Sequence, residues 1–125
     1  MSTIPLARPV ALLAVLALAA CDTVGSGDPD FGAAYVLDPA SATLDGGVLR
    51  ATVSYSGGCQ EHTFRADSRR ANGGVEVWLV HGGTPDPCEA AITETVVAPV
   101  DIAADAVPVV LLAPPDTSVL LRAAR

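Results

Sequence analysis

The chain has 125 residues, with seven arginines and no lysine against fourteen acidic residues, and a formal net charge of −7. That balance excludes a nucleic-acid binder, which needs a basic face to displace counterions from phosphates. Hydrophobic content reaches 50%, but much of it sits at the N-terminus, so composition alone overstates the core.

The N-terminal twenty residues have the layout of a secretory signal. One positive charge, Arg8, precedes a continuous apolar run from Val10 to Leu18, which is shorter than the roughly 20 residues a spanning helix needs. The run ends in Leu18-Ala19-Ala20-Cys21, which resembles a bacterial lipobox. The resemblance implies cleavage before Cys21 and acylation of that cysteine, giving a mature chain with a net charge of −8. Two or three acyl chains anchor a protein stably where one is marginal. The acidic domain is expected to stand off anionic headgroups and to meet the membrane only through its lipid. The outer membrane is the expected site. The inner membrane is the alternative, because Asp22 after the cysteine resembles a retention signal of enteric bacteria.

Residues 21–30 are glycine, serine, proline and acid without apolar period, and read as a flexible tether. From Phe31 the apolar residues come in short runs broken by glycine and proline every eight to twelve positions. That pattern predicts one all-β domain over 31–125, a seven-stranded antiparallel sandwich, immunoglobulin-like or a flattened barrel. The expected strands cover 33–38, 47–56, 61–67, 74–81, 91–102 with a possible break at Pro99, 107–112 and 117–123. A domain of this size buries only a little over 60% of its unfolded surface and gains from a cross-link.

Alternation assigns faces in the middle strands. Leu49, Ala51, Val53 and Tyr55 share one face; His62, Phe64 and Ala66 share another; Val75, Val77, Leu79 and His81 share a third. Both histidines therefore point to the core, and Trp78 points away by parity. Asn72-Gly73 is a strong two-residue hairpin signal. With those two residues as the turn, Phe64 faces His81 and His62 lies on the diagonal. Further on, Pro108 at the start of a strand suggests an edge position.

With Cys21 taken by lipid, Cys59 and Cys88 remain, and the strand directions bring both to one end of the domain. An exported chain with two co-located cysteines is expected to form a disulfide. A second reading keeps the thiols reduced and gathers Cys59, His62, His81 and Cys88 around zinc. A third uses His62 and His81, with Glu61, Asp86 or Glu89, as a zinc or copper site. The simplest reading makes both histidines structural, neutral imidazoles that donate to loop carbonyls, with no cofactor. Gly57-Gly58 reads as a tight turn, since no helix follows to make a phosphate cradle.

Gly57-Gly58-Cys59-x-x-His62-x-Phe64, followed by His81 and Asp86-x-Cys88-Glu89-Ala90, resembles a signature of small bacterial cell-envelope lipoproteins. The resemblance covers roughly residues 54–90. It implies a β-rich fold and a cysteine pair and brings no assigned activity. No serine elbow, carboxylate pair or cofactor loop is present, so the expected function is a non-catalytic, lipid-anchored envelope module that meets another envelope protein. A periplasmic metal-binding protein using His62 and His81 is the alternative.

Overall fold

A computed structural model describes residues 27–123. The expected signal segment 1–20, the expected lipidation site Cys21 and the first part of the expected tether lie outside the described residues. Among the described residues eight strands form: β1 (Val36–Leu37), β2 (Thr43–Asp45), β3 (Val48–Gly57), β4 (His62–Ala71), β5 (Gly74–Gly83), β6 (Ala90–Pro99), β7 (Val109–Ala113) and β8 (Thr117–Arg122), with one 3₁₀ turn at Pro39–Ser41. No helix among the described residues is long and apolar enough to cross a membrane.

The strands make two sheets, and their apolar faces meet as a β-sandwich rather than closing into a barrel. One sheet has the order β4-β5-β7-β8. In the other, β3 pairs with β6 on one side and with the short β1 and β2 on the other. Leu49, Ala51 and Val53 of β3 meet Val77, Leu79, Val109 and Leu111 in the core. The alternation expected for β3 and β5 holds because a pleated strand sends successive side chains to opposite faces.

The β4–β5 hairpin forms in the register that the Asn-Gly turn dictates. Asn72 and Gly73 both take positive φ, 51° and 74°, as a two-residue turn matching strand twist requires. Ala71 pairs with Gly74, Phe64 with His81 and His62 with Gly83.

Three features differ from the sequence expectation. Thr43–Asp45 forms an additional strand on β3. The β5–β7 pair is parallel, because the chain between them crosses to the other sheet as β6 before returning. And β3 belongs to the sheet opposite β4 and β5, so the Gly58–Glu61 connection turns a corner between sheets. Strand direction survives that change, which is why the two cysteine loops still meet.

Pro108 stands one residue ahead of β7, an interior strand, and not on an edge. Its missing amide costs nothing there, and its carbonyl accepts a hydrogen bond from the Val75 amide at 2.9 Å. Pro99 ends β6. Trp78 faces outward by parity yet is only 7% exposed, with the Arg69 guanidinium 5.5 Å above its ring. Of the expected tether, residues 27–30 are described, and the Gly27 carbonyl accepts from the Arg69 side chain.

Candidate functional site

The chemistry-bearing side chains collect at one end of the sandwich, where β3 leaves its sheet, β4 begins and β5 ends. His62 enters on the first residue of β4 and His81 on the eighth of β5. Across the hairpin diagonal, His62 Nδ1 lies 2.8 Å from His81 Nε2. His81 is 3% exposed. Its Nδ1 donates to the carbonyls of Ala33 and Ala34, each at 3.2 Å. Its backbone is held as well, since its amide donates to Phe31 and its carbonyl accepts from Ala33.

The other side of His62 meets Asp86, from the loop after β5. His62 Nε2 and Asp86 Oδ2 are 2.7 Å apart, with side chains 8% and 2% exposed. The same Oδ2 accepts the amides of Gly58, Cys59 and Gln60 at 3.0, 3.2 and 3.0 Å. Oδ1 accepts the Cys88 amide at 3.0 Å, an Asx turn closed two residues on. The bond to His62 above all, and then the backbone amides, hold the Asp86 carboxyl well below the usual carboxylate range against the opposing effect of desolvation.

Gly57 and Gly58 are explained by this carboxylate. A Cβ on Gly57 would stand 2.6 Å from His62 Nε2 and 2.8 Å from Asp86 Oδ2, and Gly58 has φ +116°. Gly57 leaves the room, and the successive amides of Gly58, Cys59 and Gln60 form an anion cradle without any helix. The anion is the protein's own Asp86. Cys59 and Cys88 are joined as a disulfide beside it, with Cα atoms 5.7 Å apart across 29 residues of sequence.

Aromatic rings enclose the imidazoles. Phe64 stacks on His81 at 4.4 Å and 8°, Tyr55 lies 4.6 Å from His62 and 4.7 Å from His81, and Tyr35 approaches His81 edge-on at 6.2 Å. The Tyr35 hydroxyl donates to the Leu79 carbonyl at 2.7 Å, and burial pushes it well above the ordinary tyrosine range. Burial first and the Glu94 carboxylate second raise Tyr55 as well.

As a metal centre the arrangement is poorly spaced. Two imidazoles on a tetrahedral zinc ion hold their nitrogens about 3.3 Å apart, from a Zn–N distance of about 2.0–2.1 Å, whereas these two face each other at 2.8 Å. Ligand atoms of Cys59, Asp86 and Cys88 lie within 4.8 Å of one another, but sulfurs bonded to each other offer no thiolate. Of the three acids expected near the histidines, Asp86 is the partner, while Glu61 and Glu89 are exposed. The expectation that each histidine donates to a loop carbonyl fits His81 Nδ1, while His81 Nε2 faces His62; it is corrected for His62, whose partners are an imidazole and a carboxylate.

The amide cradle was missed in the sequence. Its one legible signal is Asp86 two residues before Cys88, an Asx-turn spacing beside a cysteine that pairs with the Gly57-Gly58 loop. Comparison of the chain with protein-family models, curated proteins and solved structures finds no match.

Proposed function

We propose that the chain is a lipid-anchored, non-catalytic module of the bacterial cell envelope, held by Cys21 and working through contact with another envelope component. The observation that carries this reading is the internal saturation of the site. The two imidazoles, the Asp86 carboxylate and the cradle amides bond to one another, next to a disulfide suited to an oxidising compartment. Groups arranged in this way hold a structure together. A groove of about 800 Å³ lies elsewhere, at the Asn72-Gly73 end, lined by Arg69, Arg70, Asp101 and Asp105 among others.

The chain's entry supports an orientation. Gly27 meets Arg69, two residues from the turn end of β4, so the described chain enters the domain at the end opposite the disulfide-linked loops.

Labelled palmitate should enter the wild-type protein and not a Cys21→Ala variant. A wild-type protein recovered soluble and free of lipid overturns the reading. Stoichiometric zinc or copper in the purified full-length protein, lost in His62→Gln and His81→Gln variants, would replace it with a metal-binding function.

A further inference from the structure

Four ring nitrogens lie in series between two groups that can only accept. At one end His81 Nδ1 faces the Ala33 and Ala34 carbonyls, so it carries a hydrogen. At the other end His62 Nε2 faces Asp86 Oδ2 at 2.7 Å. That oxygen already accepts three amides, which favours the ionised carboxylate, so His62 Nε2 carries a hydrogen too. In the middle, His62 Nδ1 and His81 Nε2 stand at hydrogen-bond distance. Two lone pairs or two N–H groups would repel there, and a single hydrogen makes the bond. Three bonds thus need three hydrogens, while two neutral imidazoles bring two.

We propose that the His62–His81 pair holds one proton beyond two neutral imidazoles, so that a single positive charge is shared across their hydrogen bond and paired with ionised Asp86. The surroundings suit such a cation. Phe64 and Tyr55 present rings to the imidazoles, and aromatic faces attract positive charge. The titratable groups that face the pair are Asp86 from the loop after β5, Tyr55 from β3 with Glu94 of β6 beside it, and Tyr35 from the segment before β1.

The shared proton makes the pair a clasp. Its three hydrogen bonds join the Ala33–Ala34 segment, β5, β4 and the Asp86 loop, and through Asp86 the Gly58–Gln60 amides. Withdrawing the proton leaves two hydrogens for three bonds, so one of the three parts.

The test is a long-range proton–nitrogen correlation spectrum of the full-length protein with labelled imidazole nitrogens, recorded at neutral pH. Among the four ring nitrogens it should show three protonated and one unprotonated. Two of each, meaning a neutral pair, or four protonated would overturn the proposal. In Asp86→Asn, which keeps the shape and removes the counter-charge, the count should fall to two protonated nitrogens; a folded variant that retains three would overturn the pairing with Asp86. If that variant fails to fold, the wild-type spectrum alone still decides the proton count.

Discussion

His62 and His81 are joined nitrogen to nitrogen at 2.8 Å although they are not paired across the hairpin, where His81 faces Phe64 and His62 faces Gly83. The diagonal contact leaves the directly opposite position to Phe64, which stacks flat on His81. One ring partner is thus hydrogen-bonded and the other stacked, and His81 is fixed in plane and in rotation.

Asp86 ties this pair to acid stability. Its carboxyl is held below its ordinary value, chiefly by His62, so its contribution is fully present above the unfolded value near 3.9 and is lost as pH falls through the lower folded value. The urea midpoint should therefore drop steeply below about pH 4 in wild type. Asp86→Asn should be less stable at pH 6 and show a flatter profile in acid. An identical profile in the variant would remove Asp86 from this role.

The tyrosines contribute on the alkaline side. Both are raised, so the stability they confer is present below about pH 10, the unfolded value, and lost above it. Ultraviolet titration should show tyrosinate appearing above the ordinary tyrosine range and together with unfolding. Tyr35→Phe, which leaves the Leu79 carbonyl without its side-chain donor, should cost about 1 kcal/mol.

The Cys59–Cys88 bond closes a loop of 29 residues' separation, worth about 3–4 kcal/mol on chain-entropy grounds. Reduction should lower the thermal midpoint by more than about 10 °C for a domain of this size. Mass spectrometry of unreduced peptides should recover the two cysteines in one linked pair, and two alkylatable thiols would contradict it.

Gly57→Ala should be disproportionately harmful for a single methyl group. The added Cβ meets His62 Nε2 and Asp86 Oδ2 inside 3 Å, an overpacking that typically costs about 1–3 kcal/mol. Gly27→Ala, with open space around it, is the neutral control. Equal urea midpoints for the two variants would show that the site yields to the methyl.

The signature around Cys59 is accounted for by this one site. Gly57 clears room for His62 and Asp86, Gly58 takes a backbone shape that suits glycine, Cys59 crosses to Cys88, and Phe64 stacks on His81. Each spacing in Gly57-Gly58-Cys59-x-x-His62-x-Phe64 is set by a contact in the cluster.

The β4–β5 hairpin, its register and the inward direction of His62 and His81 were determined by the sequence itself, because they depend on local rules: a two-residue Asn-Gly turn and a side-chain period of two. The common location of Cys59 and Cys88 followed from strand direction, which is also local. Tertiary structure alone decided that β3 lies in the opposite sheet, that β5 pairs in parallel with β7, and that Trp78 is covered on the outer face. It also decided that Asp86, among three nearby acids, enters the Gly58–Gln60 amides. These outcomes depend on which surfaces meet across long chain separations, 26 to 28 residues for Asp86 and its cradle and 34 for Val75 and Val109. No local pattern encodes such a meeting, since a carboxylate reads the same in sequence whether it faces water or is desolvated against backbone amides and an imidazole.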